Sequence, residues 1–124
     1  MLTIYRKDYE KIAMGILSFA PHLHDVERVR DEMQWALKTG QQIYLWQSED
    51  EDHFTGVAIV KNGDNYVLVS WLSFTPSERS GRNIYGMLTA IAKRFPRKRI
   101  MGTLETQPLI TNWEKETDEQ SSNQ

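Results

Sequence analysis

The hydrophobic pattern is clearest in the middle of the chain, where a predicted strand is followed by a predicted helix. Residues 66–74 form an apolar run that is rich in β-branched and aromatic side chains, which favours a buried strand. From Ile84 to Phe95 the apolar residues recur at three- and four-residue intervals, which predicts a helix that buries one face. Pro76 and Pro96 follow these segments, and we expect each element to end there because proline interrupts backbone hydrogen bonding.

The same patterns predict the remaining elements on both sides of this pair. Strands are predicted over residues 2–5, 43–47, 54–60, 66–74 and 99–104. Helices are predicted over residues 8–20, 25–39, 84–95 and 108–116. Asp8 and Asp25 stand at two helix starts as N-caps, and Gly40 suits the end of the second helix. Ile12 and Val26 belong to the apolar stripes that these first two helices are expected to bury.

Turn signals and connection lengths predict how the strands are arranged. Asn62-Gly63 favours a tight hairpin, so strands two to four should form an antiparallel meander. A helical crossover should place strand five parallel to strand four, and Gly56 marks a bulge or a close approach of the backbone. We therefore expect an α/β (α+β) fold, a mixed and mostly antiparallel sheet flanked by helices, in one domain over residues 1–116. Residues 117–124 contain no apolar side chain, so we expect a disordered tail.

Composition restricts the function classes that suit this chain. The 124 residues carry a formal net charge of −2, which does not favour general affinity for nucleic acid or for an anionic membrane surface. There are no cysteines, so disulfides, thiolate metal sites and a cysteine nucleophile are excluded. No signal peptide and no long apolar span stand out, and a cytoplasmic protein is expected.

The turn between the central strand and helix has the composition of an anion site. Residues 77–83 lead into the helix, whose first backbone N–H groups have no partner within the helix. Such an N-terminus attracts anions, and Arg79 and Arg82 strengthen that preference. A basic loop that caps a solvated helix is the alternative interpretation.

This central stretch resembles a known family. An apolar strand, then Pro76-Ser77-x-Arg79, a loop and a helix rich in Leu and Met resemble the acyl-CoA-binding core of the GNAT superfamily of N-acetyltransferases. Residues 11–19 together with Leu45-Trp46 resemble the small members that are encoded in riboflavin operons. The likeness covers about residues 4–115. It implies transfer of an acetyl group from acetyl-CoA to a small amine, with a link to riboflavin biosynthesis.

The resemblance also implies which residues hold the acyl donor. CoA would enter a cleft between the fourth and fifth strands, and the following residues would bind it: Leu72, Ser73 and Phe74 by main chain, and Arg79, Ser80, Gly81, Arg82, Asn83 and Ile84 around the pyrophosphate. Family members usually have two loop glycines where this chain has Arg82 and Ile84, whose side chains are expected to crowd the phosphates. Gly81 would supply a loop glycine if the register of the loop were shifted by one residue. The alternative function is a non-catalytic GNAT-fold regulatory or interaction module that binds CoA weakly or not at all.

Catalytic candidates follow from the same resemblance. Glu105, at the end of the fifth strand, is the first candidate for the general base, and Glu78 is the second. Trp113 stands where many members have a tyrosine acid, so Tyr85 and then Tyr66 are the weaker replacements for that acid.

Two groups of basic residues have a possible binding role and also a simpler explanation as solvent-exposed side chains. His22 and His24 lie close together, but without a third ligand they do not predict a metal site. The larger group suits the 3′-phosphate of CoA, RNA or a solvated face, and its members are Lys93, Arg94, Arg97, Lys98 and Arg99.

The expected partners are few. The acceptor is a small-molecule amine, which would lie against the first two helices and the mouth of the cleft, and neither nucleic acid nor membrane is expected. Family members of full length continue with further strands, so the exposed edge of strand five would be covered by the last helix or by a second subunit in a homodimer.

Overall fold

The computed structural model describes residues 1–122, and it describes side chains for residues 1–118. The chain folds into five strands and four α-helices. The strands are β1 (Leu2–Ile4), β2 (Gln42–Trp46), β3 (Gly56–Asn62), β4 (Tyr66–Phe74) and β5 (Arg99–Gly102). The helices are α1 (Glu10–Leu17), α2 (Val26–Lys38), α3 (Gly81–Arg94) and α4 (Gln107–Ser122).

The strands form one sheet in the order β1-β2-β3-β4-β5, which confirms the predicted meander of β2, β3 and β4 and the predicted place of β5 beside β4. The pairs β1–β2, β2–β3 and β3–β4 are antiparallel, and the pair β4–β5 is parallel. Gly63 N–H donates to the Tyr66 carbonyl at 2.9 Å, which closes the predicted hairpin between β3 and β4. The irregularity in β3 lies between Ile59 and Val60 instead of at Gly56. Gly56 is the close approach, because a Cβ there would lie 2.5 Å from the Phe74 ring.

Helix starts are set by local capping. The Asp25 carboxylate accepts from the Glu27 N–H at 3.0 Å and caps α2 as predicted. Asp8 is not an N-cap, because the chain enters α1 through a 3₁₀ turn over Lys7–Tyr9. Ser80 caps α3, which therefore begins three residues before the predicted start at Ile84.

Alternating side chains of the sheet divide the core into two clusters, one on each face. On one face α1 and α2 cover residues that include Ile43, Leu45, Val57 and Ile59. On the other face α3 and α4 cover residues that include Tyr44, Ala58, Val60, Val67 and Val69. The predicted burial of Ile12 and Val26 is wrong, because they expose 47% and 60% of their surfaces to solvent. The buried stripes of α1 and α2 are narrower than the apolar pattern indicates.

The two ends of the last helix differ from the prediction. Helix α4 begins one residue before the predicted start and continues to Ser122 instead of ending at residue 116. The disordered tail expected over residues 117–124 is therefore helical as far as Ser122, and residues 123 and 124 lie outside the described part of the chain. Within residues 1–122, no helix combines the length and the hydrophobicity that crossing a membrane requires.

Strand β5 accompanies β4 over only part of its length. The parallel register runs from Tyr66 opposite Arg99 to Val69 opposite Gly102, whereas β4 continues to Phe74. At this point two side chains at the start of α4 form hydrogen bonds with the last backbone groups of the ladder. Thr106 Oγ1 donates to the Val69 carbonyl at 2.7 Å, and Gly102 N–H donates to Gln107 Oε1 at 2.8 Å. Beyond them, the described part of the chain pairs no strand with the β5 side of β4.

We predict that Gly15→Ala stabilises the fold by about 0.5–1 kcal/mol, because alanine has the higher helix propensity. Gly15 lies inside α1, and a Cβ built there meets no atom within 4 Å. Urea unfolding of both proteins measures the change in free energy of unfolding. Gly40→Ala is the matched control and should destabilise, since Gly40 has a φ of +79°. A loss of stability in Gly15→Ala would contradict the prediction.

Candidate active site

The last residues of β4 line one side of the candidate site with their main chain. Leu72 and Phe74 bury their side chains in the core beneath α3 and α4. Ser73 points to the opposite face, where its Oγ donates to the Ile16 carbonyl of α1 at 2.6 Å. Because all three side chains are used in packing, these residues offer a ligand their backbone groups. The structure thus brings the three predicted residues to the open side of β4.

The N-terminus of α3 follows β4 after a short connection. Ser80 Oγ accepts from Asn83 N–H at 3.3 Å, and Ile84 N–H donates to the Ser80 carbonyl at 2.9 Å. Helix geometry leaves the N–H groups of Gly81 and Arg82 without a carbonyl partner in the helix. A Cβ on Gly81 would meet only the Tyr85 ring, at 3.4 Å, so space remains above this turn. This end of α3 has the geometry of an anion site.

Two residues predicted for the pyrophosphate instead hold the helix in place. The Asn83 side chain is buried, its Nδ2 donates to the Glu78 carbonyl at 2.8 Å, and its Oδ1 accepts from Trp46 Nε1 at 3.3 Å. Ile84 is 6% exposed and packs in the core beneath α3. The crowding of phosphates that was expected from the Ile84 side chain is therefore absent, because this side chain points away from the first turn.

Arg82 is engaged by the acidic connection between β2 and β3. Its guanidinium lies 3.1 Å from the Asp50 carboxylate, and both side chains are largely exposed. Glu51 and Glu78 line the same shallow cavity of about 200 Å³ beside the N-terminus of α3. Arg79 is exposed and forms no ion pair with the side chains of residues 1–118. The positive end of α3 is thus partly neutralised by carboxylates.

A second cavity of about 260 Å³ lies between α3 and α4, on the other side of Arg82. Its lining residues are Arg82, Tyr85, Gly86, Thr89, Trp113, Glu116 and Thr117. Trp113 Nε1 donates to Thr89 Oγ1 at 3.0 Å and joins the two helices. Tyr85, the predicted acid, lies in this cavity beside the first turn of α3. Tyr66, the weaker alternative, lies at the distant end of β4.

Glu105 lies in the connection between β5 and α4, beyond the end of the strand. Its carboxylate is 3.4 Å from His22 Nε2, and the side chains of Glu105 and His22 are 49% and 68% exposed. His22 has a φ of +70°, a value that non-glycine residues rarely adopt. The sequence did not single out His22, because two nearby histidines without a third ligand do not predict a metal site and no local pattern connects His22 with Glu105. In the part of the chain whose side chains are described, no three His, Cys, Asp or Glu residues are grouped to hold a metal.

Part of the basic cluster serves the fold. Lys98 Nζ donates to the Gly63 carbonyl at 2.7 Å and ties the hairpin to the segment before β5. The Arg94 guanidinium lies 5.3 Å from the centroid of the Tyr44 ring, where a cation interacts with the aromatic face. Burial raises the pKa of the Tyr44 hydroxyl, and the nearby Arg94 charge offsets part of this rise. Lys93, Arg97 and Arg99 remain exposed.

We predict that Asn83→Ala destabilises the protein by about 1–3 kcal/mol, because the Trp46 indole N–H loses its acceptor and the Glu78 carbonyl loses one of its two donors. Thermal or urea unfolding measures the change. Asn112→Ala is the matched control, since Asn112 is exposed on α4 and should change stability by less than about 0.5 kcal/mol. Equal effects of the two substitutions would refute the structural role of Asn83.

Comparison with known proteins adds a sequence relative. Models of known protein families give no match to the sequence. An uncharacterized N-acetyltransferase encoded in the 3′ region of lysA in Bacillus methanolicus is 30% identical over 115 residues. The match covers 92% of this chain and 95% of the relative.

Solved structures share the fold. Aminoglycoside N-acetyltransferase AAC(6′)-Iy in complex with CoA superposes with a TM-score of 0.67 at 11% identity, over 94% of this chain and 84% of its own. Aminoglycoside 6′-N-acetyltransferase AAC(6′)-IG from Acinetobacter haemolyticus, in its apo form, has a TM-score of 0.63 at 11% identity, over 94% and 88%. At these identities the similarity concerns the fold.

Proposed function

Because this chain belongs to the GNAT superfamily of N-acetyltransferases, we propose that it transfers the acetyl group of acetyl-CoA to the amine of a small molecule. The observation that carries the proposal is the open side of β4 next to the N-terminus of α3. Strand β5 ends opposite Val69, so the backbone groups of residues 70–74 that face away from β3 have no strand partner and suit an extended ligand. The adjacent turn of α3 offers two backbone N–H groups to its phosphates.

Each part of the donor has a counterpart in this arrangement. The main chain of Leu72, Ser73 and Phe74 suits the thioester carbonyl and the pantetheine arm, since backbone N–H groups stabilise a developing oxyanion. The N–H groups of Gly81 and Arg82 suit the pyrophosphate, and the Arg82 side chain adds a charge-assisted hydrogen bond once it leaves Asp50. Arg79 is exposed nearby and contributes a second positive charge.

The leaving thiolate and the acceptor amine each need a residue that transfers a proton. Tyr85 is our candidate for the acid that protonates the CoA sulfur, because it lines the cavity between α3 and α4 beside the first turn of α3. Glu105, at the mouth between β4 and β5, is our candidate for a carboxylate that assists removal of the proton from the acceptor amine. The acceptor is proposed to lie against α1 and α2, on the face of the sheet opposite to α3.

Other expectations stay predictions. The names of the relatives given above do not mention riboflavin, so the link to riboflavin biosynthesis has no support from them. The cytoplasmic location, the single-domain organisation and a homodimer formed through the outer edge of β5 are likewise proposals. A non-catalytic GNAT-fold module remains the alternative that a failure to bind acetyl-CoA would favour.

The donor site is tested by calorimetric titration with acetyl-CoA. We expect the wild-type protein to bind, and Arg79→Ala and Arg82→Ala each to weaken binding by about tenfold, which corresponds to one lost charge-assisted contact of roughly 1.4 kcal/mol. Arg28→Ala is the matched control, because this exposed arginine lies on α2 at the opposite face. Absence of wild-type binding, or equal losses in all three variants, would refute the proposed site.

We also predict that Asp50→Asn tightens acetyl-CoA binding up to about fivefold at low salt. The exposed Asp50–Arg82 pair contributes at most about 1 kcal/mol, and its removal frees the guanidinium for the pyrophosphate. The gain should shrink as ionic strength rises, because salt screens exposed charges. Asp31→Asn on α2 is the control, and weaker binding by Asp50→Asn would contradict competition between the carboxylate and the donor.

A further inference from the structure

His22 occupies a backbone conformation that its residue type does not favour. Its φ of +70° makes it the one non-glycine residue with a positive φ among residues 1–122. Glycine would adopt this conformation at lower cost, because it has no Cβ to clash with the carbonyl oxygen. Strain of this kind at a residue with a chemically active side chain suggests that the side chain itself is used.

The surroundings of His22 connect it to the open side of β4. His22 lies in the connection between α1 and α2, and Ser73 Oγ holds the end of α1 against β4 through the Ile16 carbonyl. Glu105 lies in the connection between β5 and α4, next to Thr106, whose hydroxyl donates to the Val69 carbonyl. The two connections therefore flank residues 70–74 of β4. The contact between His22 and Glu105 joins these connections beyond the point where β5 leaves β4.

We propose that His22 is the general base of the acetyl transfer and that Glu105 is its positioning residue. This assignment deepens the proposed function and rests on it. Nε2 lies 3.4 Å from the Glu105 carboxylate, so a small rotation of the ring would let an Nε2–H tautomer donate to that carboxylate and would leave the lone pair of Nδ1 for the acceptor. Catalytic hydrogen bonds are often long before the substrates bind, so the distance suits this role.

In the proposed step, the acceptor nitrogen attacks the thioester carbonyl carbon and an N–C bond forms. The C–S bond breaks, and CoA leaves as the thiolate. Nδ1 of His22 takes the proton that the nitrogen loses, and Glu105 stabilises the resulting imidazolium. Of the two side chains in contact, His22 is assigned the proton transfer because imidazole is as a chemical class a stronger base than a carboxylate.

The kinetic test uses His22→Gly, which removes the imidazole and also relieves the positive φ. Release of CoA thiol is measured with acetyl-CoA and a panel of primary amines that contains lysine, spermidine and kanamycin. We expect kcat to fall by about 100-fold or more, with acetyl-CoA affinity and thermal stability retained. Added imidazole should restore part of the rate, which a purely structural role would not allow. His24→Gly, two residues away and also exposed, is the matched control.

The role of Glu105 is separated from that of His22 by a double-mutant cycle. Glu105→Gln alone should lower kcat, because the carboxylate no longer orients the ring and stabilises its charge. In the His22→Gly background the same change should have little further effect, since coupled residues are not additive. Fully additive losses would refute the positioning role, and a His22→Gly variant with wild-type kcat would refute the base assignment.

A second measurement does not depend on finding the acceptor. Bromoacetyl-CoA carries an electrophilic carbon in place of the acetyl group, and an imidazole nitrogen that reaches it displaces bromide and releases a proton to solvent. Peptide mass spectrometry should find the label on His22, and free CoA should protect it, while His24 and His53 serve as internal controls. Label on another residue, or no label in a protein that binds CoA, would overturn the assignment. A protein that binds no CoA by calorimetry refutes the proposed function itself, and His22 then loses its role.

Discussion

The early separation of β5 from β4 is the constraint on which the candidate site depends. The parallel ladder stops at Val69 and Gly102. There the Thr106 hydroxyl donates to the Val69 carbonyl, and the Gln107 side-chain carbonyl accepts from the Gly102 N–H. These side chains start α4, so the chain leaves the plane of the sheet at this point. A buried hydrogen bond to the Val69 carbonyl makes the departure stable, because the carbonyl would otherwise lack a partner. The backbone groups of residues 70–74 that face away from β3 are left without a strand partner as a consequence.

Hydrogen bonds from side chains also determine where α3 begins. Ser80 and Asn83 cap and anchor the helix through contacts to Glu78 and Trp46, and the N–H groups of Gly81 and Arg82 stay free. The acidic connection after β2 reaches the same turn through the contact between Asp50 and Arg82. In the proposed donor site, affinity would therefore depend on a balance between the helix end with its arginines and the carboxylates that compete for the same charge.

The sheet separates the two proposed substrates. The donor would follow β4 and the side of α3 and α4, whereas the acceptor would approach from the side of α1 and α2. The connections that carry His22 and Glu105 meet beyond the point where β5 leaves β4, and Ser73 ties α1 to the end of β4. A base at this position would act on the acceptor nitrogen without contact with the phosphates of the donor.

The sequence alone determined the order of the elements, the hairpin after Asn62, the bounds of β4 and the parallel direction of β5, because these follow from local periodicity, turn chemistry and connection length. The start of α3 escaped prediction, since Gly81, Arg82 and Asn83 carry no apolar signal and only the Ser80 cap marks the first turn. Tertiary structure alone decided that the Ile84 side chain belongs to the core and that Asp50 reaches Arg82. It also decided that His22 meets Glu105. Such contacts join residues far apart in sequence, and their positions depend on how two faces of the sheet pack, which no local pattern encodes.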